Sequence, residues 1–365
     1  MPRNHQAPDL AAALARSLVG KNYSIPDLNA LLGGWPAGIN EHLERLRPVV
    51  DQMLESIIAN KKILPGLKRC DFALLTSLAA WTELEVAAAF MVWIFVWDDG
   101  IDEGDSEVAT HEQCARIYCN QSTAYARWAL GLARNTNKQH GILCQSEEPQ
   151  CSVPTMSLFH RMCSGLYLKI DKVQRQRMFQ ETESYMASTM IEQSNRQSQQ
   201  VPTPEQYFDM RLVTSGIYPA LALFDYIAGV RLPESIMESN SMKSLWRETT
   251  ILCMLVNDIY SFKKELASGS VLNMIPVLFN ARVTDDLNET MGVLVNIMHN
   301  SSIAFGKAAE ELAELASVAR LEAEVETYID VCRTVVTGLN KWALTTKRYS
   351  MEKYQRKDGS IIIAL

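Results

Sequence analysis

The period of the apolar residues constrains this chain more than any other feature. Apolar positions recur at helical spacing over 39–60, 70–99, 106–136, 155–165, 170–197, 204–230, 234–266, 270–280, 285–317 and 321–348. No convincing alternating stretch of period two lies between them. Such a pattern predicts an all-α helical bundle. Composition agrees: 17 glycines and 13 prolines in 365 residues are few for a strand-and-turn protein, and 47% apolar residues suffice for a large core. The most apolar run, from Val86 to Trp97 between Glu85 and Asp98, is shorter than the ~20 residues that span a bilayer and reads as a buried core helix. Polar stretches at Cys144–Pro154 and Asn195–Pro204 read as surface loops within one domain covering 1–365. Residues 1–30 form an N-terminal segment, and the tail 350–365 changes character and is expected to be a mobile flap.

Charge and cysteines narrow the function classes. The net charge is −7 and no Lys/Arg block stands out, so the phosphate-backbone footprint of a nucleic-acid binder is missing. The eight cysteines fall mainly in apolar helical patterns without a C-x-x-C; reduced thiols, neither disulfides nor zinc, and a cytoplasmic location are expected. The first residues resemble neither a secretory signal nor a transit peptide.

Two polar clusters interrupt the apolar pattern. In the first, Trp97-Asp98-Asp99-Gly100-Ile101-Asp102, a turn of about 100° per residue puts Asp98, Asp99 and Asp102 on one helix face. Three like charges at a helix C-terminus, where the dipole is already negative, call for divalent cations. With no His or Cys beside them, their hard oxygens suit magnesium or manganese. The alternative is an acidic helix end facing water. Gly100, a poor helix former, makes Asp102 the weakest of the three candidates. In the second cluster Asn257, Ser261 and Glu265 stand at i, i+4 and i+8, so an amide oxygen, a hydroxyl and a carboxylate line one stripe of a very apolar helix. Buried without partners they would be costly, and a metal is a good partner; the alternative is a polar stripe facing a loop.

Asp98-Asp99-x-x-Asp102 and Asn257-Asp258-Ile259-x-Ser261-x-x-x-Glu265 resemble the aspartate-rich and N-S-E metal motifs of class I terpene synthases of the microbial, single-domain type. The likeness extends through most of the chain. Trp35-Pro36, Ile39-Asn40 and His42 resemble the amino-terminal element of these cyclases. Arg211 lies 46 residues before Asn257, where the family has a diphosphate-sensing arginine, and Arg348-Tyr349 matches its carboxy-terminal Arg-Tyr pair. The resemblance implies an enzyme of the fungal sesquiterpene cyclase type. Such an enzyme uses Mg2+, three ions with Mn2+ as a substitute, to ionise a linear isoprenyl diphosphate and then cyclises the carbocation in an apolar pocket. Farnesyl diphosphate is the implied substrate, with geranylgeranyl diphosphate second. A homodimer is compatible with this reading; stable membrane insertion is not.

Within that chemistry Arg211, Lys264 and Arg348 are the expected diphosphate donors, and Arg348 with Tyr349 could fold over the phosphate. Phe95 and Trp342 are the expected aromatic walls for a carbocation, with core packing the alternative. Pro219 has no N–H for the carbonyl of Ser215, which predicts a helix break near Ser215-Gly216; in the resembling family such a break turns a carbonyl toward the substrate. A chain-elongating prenyltransferase would share the fold but need a second aspartate-rich motif in place of N-S-E. A non-catalytic isoprenoid-binding helical protein would have no use for intact Asp98, Asn257, Ser261, Glu265 and Arg211.

Overall fold

The computed structural model of the chain describes residues 9–79, 83–102, 106–133, 147–281 and 286–365. Among these residues the fold rests on twelve helices of seven residues or more. They are α1 (Leu10–Leu18), α2 (Leu43–Ile57), α3 (Phe72–Ala79), α4 (Leu84–Asp102), α5 (Glu112–Ala129), α6 (Met156–Leu166), α7 (Lys172–Gln197), α8 (Pro204–Thr214), α9 (Asn240–Ala267), α10 (Met274–Asn280), α11 (Leu287–Ala319) and α12 (Glu322–Thr345). The helical periods of the sequence are realised, with breaks where local chemistry demands them. Asp171 and Gln174 form a capping box that starts α7, and Thr203 with Gln206 forms another that starts α8, where Pro204 takes the first helical position.

Helix α4 packs against α2, α3 and α6. Trp93 and Trp97 are fully buried, and each fixes a neighbour. Trp93 meets Phe159 of α6 edge-on at 4.8 Å. The Trp97 indole N–H donates to Ser122 Oγ of α5 at 2.9 Å, and its ring lies 5.5 Å from Tyr185 of α7. Helix α9 packs against α11 and α12, and on that side its Tyr260 hydroxyl donates to Asn340 Oδ1 at 2.9 Å. No helix of the described residues is long and apolar enough to cross a membrane.

The chain ends depart from the sequence reading. Where that reading expects no strand and a mobile tail, β1 (Asn22–Ile25) pairs antiparallel with β2 (Ile361–Ala364), register Tyr23↔Ile363. Ile361 and Ile363 are buried and Ile362 is 37% exposed, the alternation of a strand seated on a core. Four residues are too few for that period to stand out. Replacing Ile363 by Ala should therefore lower the unfolding free energy in urea by about 2–4 kcal/mol, while Ile362→Ala stays within ~0.5 kcal/mol. Equal, negligible effects would mean that the tail is not part of the folded unit.

Candidate active site

Helix α4 delivers Asp98 and Asp99 to one end of the bundle because the residues preceding them are held in the core. Both carboxylates line a cavity of ≈ 730 Å³. Asp98 Oδ1 accepts the Tyr185 hydroxyl at 2.7 Å. Loss of hydration, followed by the charge of Glu192, nevertheless raises the Asp98 carboxyl to about 6. Asp99 is clamped by Arg348, whose Nη1 and Nη2 donate to its two oxygens at 3.1 and 2.6 Å. Asp102 ends α4, and its side chain lies outside the described residues. Gly100 does not interrupt the helix. A Cβ there would sit 2.9 Å from Tyr118 Oη, which donates to the Trp97 carbonyl at 3.1 Å, so this glycine permits a close approach of α5.

Opposite stands α9, with Asn257, Ser261, Lys264 and Glu265 all lining the cavity. Asn257 joins two residues singled out from sequence: its Oδ1 accepts from Arg211 at 2.8 Å and its Nδ2 donates to the Tyr349 hydroxyl at 2.9 Å. Glu265 accepts from Asn273 Nδ2 at 2.9 Å, and burial, followed by the charge of Asp258, pushes its carboxyl up. Ser261 Oγ is buried, with no well-formed hydrogen bond and the Glu265 carboxyl beside it. An orphaned hydroxyl beside an amide oxygen and a raised carboxyl is a donor set that fits a hard divalent cation. Among the described residues no three His, Cys, Asp or Glu side chains form a ready cage; the oxygens here come from two walls and include an amide and a hydroxyl.

Asp258, inside the second motif, is a further functional residue of the site. It is 2% exposed, accepts from the Tyr207 hydroxyl at 2.8 Å and the Met274 N–H at 2.9 Å, and lies 3.4 Å from Arg211 Nε. Burial opposes the Arg211 charge, but Tyr207, Asp258, Glu192 and Glu265 together hold its pKa well above the ordinary value. Tyr185 and Glu192 also line the cavity without having been foreseen. Their signal was a polar stripe on α7, since Tyr185, Glu192 and Arg196 at i, i+7 and i+11 share a face.

The predicted break is present. Helix α8 stops at Thr214, Ser215 follows as its cap, Gly216 takes φ +72°, and a new short helix runs Ile217–Leu221. The cause is shared. Pro219 withholds its N–H, and the left-handed Gly216 turns the chain where a Cβ would lie 2.7 Å from Ile94 Cδ1. Arg211 Nη1 donates forward to the Thr214 carbonyl at 3.4 Å, and Thr214, Ser215 and Gly216 all line the cavity.

Below the polar mouth the walls are apolar, with Phe90, Met91, Ile94, Phe95 and Leu339 among them. Phe95 lines the cavity beneath the Arg348 guanidinium, at 5.7 Å. Trp342 does not. It is fully buried, its indole N–H donates to the carbonyls of Cys70 at 2.8 Å and Asp71 at 3.2 Å, and it backs Phe95 at 5.5 Å and Tyr349 at 5.8 Å rather than lining the cavity. The helical period of the sequence runs to residue 348, whereas α12 ends at Thr345 and Thr346 is extended.

Comparison with known proteins agrees with this architecture. Residues 89–304 match terpene synthase family 2, C-terminal metal binding. Sesquiterpene cyclase hepA of Aspergillus oryzae is 28% identical over 97% of this chain and 96% of its own length. Terpene cyclase braA of Annulohypoxylon truncatum is 25% identical over 96% of this chain and 92% of its own. In fold the chain is similar to linalool/nerolidol synthase from Streptomyces clavuligerus, solved with 2-fluorogeranyl diphosphate (TM-score 0.68, 18% identity, 87% of this chain and 98% of that one).

The folded chain keeps a proton on Asp98 up to about pH 6, whereas the unfolded chain releases it near the ordinary value of 3.8. Between these values the folded state binds more protons, so in metal-free buffer this group lowers stability as pH rises through that window. Asp98→Asn keeps the acceptor for Tyr185 and removes the charge. It should melt higher than the wild-type chain at pH 8 and lose that advantage at pH 4, as scanning calorimetry in EDTA would show; a lower melting point at pH 8 would contradict the assignment.

Proposed function

Because the chain belongs to the terpene synthase family and is a terpene cyclase, a lyase, we propose that it ionises farnesyl diphosphate in the presence of Mg2+ and cyclises the resulting cation to a sesquiterpene. One observation carries the reading: two oxygen-bearing helix faces and two arginines converge at the mouth of a cavity whose deeper walls are apolar. The family's divalent metal supplies, when bound, the positive charge that turns diphosphate into a good leaving group. Asp98 and Asp99 on one wall, with Asp102 following them, and Asn257, Ser261 and Glu265 on the other are the residues proposed to hold Mg2+, three ions in all, with Mn2+ as a substitute.

The chain's own groups do the rest. Arg211, Lys264 and Arg348 bind and orient the diphosphate, and Tyr349, hydrogen-bonded to Asn257, ties the segment after α12 to that site. Asp99 holds Arg348 in place, and an entering diphosphate competes with Asp99 for it. The break at Ser215-Gly216 frees a carbonyl to face the departing group, where its dipole favours charge separation. Phe95 then offers its ring face to the cation, and Trp342 keeps that ring fixed. All seven described cysteines are free, in keeping with the proposed cytoplasmic setting.

Incubation with Mg2+ and C10, C15 or C20 diphosphates, with extracts read by gas chromatography–mass spectrometry, should give cyclic hydrocarbon or alcohol from the C15 substrate and none with EDTA. Turnover in EDTA would contradict the metal assignment. A longer diphosphate formed from added isopentenyl diphosphate would instead reveal a chain-elongating enzyme. Asn257→Ala should lower kcat about 100-fold or more with the circular dichroism spectrum unchanged; full activity would remove Asn257 from the site.

A further inference from the structure

The floor of the cavity is one side chain thick. Phe90 and Met91 of α4 and Ala220 of the short helix after the break line the main cavity, and the same three residues line a second void of ≈ 10 Å³ behind it. Ala79, Ala87 and Phe224 help to close that void, which is lined by apolar residues alone. A space so small and so apolar does not hold water. Phe90 stands eight residues before Asp98 on the same helix, about 12 Å along its axis. A substrate with its diphosphate at the mouth therefore extends its apolar end toward Phe90.

We propose, on the footing of the preceding reading, that Phe90 sets the length of isoprenyl chain this enzyme accepts, with Ala220 as the opposing side of the stop. Of the three shared residues only Phe90 has fixed bulk to remove. Met91 is flexible and can adapt its shape, and Ala220 ends at Cβ. The Phe90 ring leans on Trp93 at 5.6 Å, and Trp93 is itself pinned by Phe159 at 4.8 Å, so the wall behind a truncated Phe90 does not collapse readily. Truncation of one large buried apolar side chain can leave a dry cavity that binds a benzene-sized guest, and the extra isoprene unit of a C20 substrate has fewer carbons than benzene. Removing the Phe90 ring thus opens room of the right size and character between the two voids.

The test compares wild type, Phe90→Ala, Phe90→Leu and Ala220→Val in steady-state assays with geranyl, farnesyl and geranylgeranyl diphosphates and Mg2+. One methylene in an apolar pocket already discriminates by roughly 10–200-fold. The ratio of kcat/KM for C20 over C15 should therefore rise at least ~10-fold in Phe90→Ala and less in Phe90→Leu, while Ala220→Val shifts preference from C15 toward C10. An unchanged C20/C15 ratio in both Phe90 variants, or a C15/C10 ratio unmoved in Ala220→Val, would overturn the proposal. Should Phe90→Ala not fold, the leucine and valine variants decide. A wild-type enzyme silent on all three substrates would refute the cyclase reading itself; an active wild type with unmoved ratios refutes only the role of Phe90.

Discussion

Carboxylates gathered at the mouth of an apolar cavity repel one another and are poorly hydrated, and much of this structure is arranged around keeping them there. Asp98, Asp99, Asp258 and Glu265 all border the same space, and the carboxyls of Asp98, Asp258 and Glu265 are raised, in each case first by burial. Two guanidinium groups oppose that tendency. Arg211 binds Asn257 and approaches Asp258, and Arg348 grips Asp99 through both oxygens. Because α8 supplies one arginine and the segment after α12 the other, the charge balance of the site also ties distant parts of the chain together. Interactions between ionised groups at such a site are stronger than at a hydrated surface.

The same arrangement explains how the protein could meet a diphosphate. Arg211 and Arg348 are already placed at the mouth by their carboxylate partners, so positive charge is present there before any anion arrives. Cations bound between the oxygen stripes of α4 and α9 would relieve the repulsion among the carboxylates. They would also leave the arginines better able to turn toward phosphate oxygens. Below this charged mouth the walls are aromatic and aliphatic, a lining suited to shielding the proposed carbocation from water.

The helices were legible because amphipathic period is a statement about burial, and burial is what the core imposes. The facing oxygen stripes were legible for the opposite reason: polar groups at i, i+4 and i+8 inside an apolar helix need a partner. What was not legible depends on contacts remote in sequence. Tyr185 and Glu192 look like ordinary positions of an amphipathic α7 until α4 is placed beside them. Trp342, expected on the pocket wall, is held away from it because its indole donates to the carbonyls of Cys70 and Asp71, and α12 ends before Tyr349. Gly100, read as a weakness in the first motif, answers to Tyr118 across the packing of α5. The pairing of Tyr23 with Ile363 joins the two ends of the chain, and nothing local announces it.

The central claim is that this mouth holds a diphosphate jointly with divalent cations and through Arg211. Isothermal titration of inorganic diphosphate into the purified protein tests it without requiring turnover. Binding is expected in Mg2+, with little or none in EDTA and a loss of at least ~10-fold in affinity for Arg211→Met in Mg2+. Equal affinity with and without Mg2+, or an Arg211→Met variant that binds as tightly as the wild type, would contradict it.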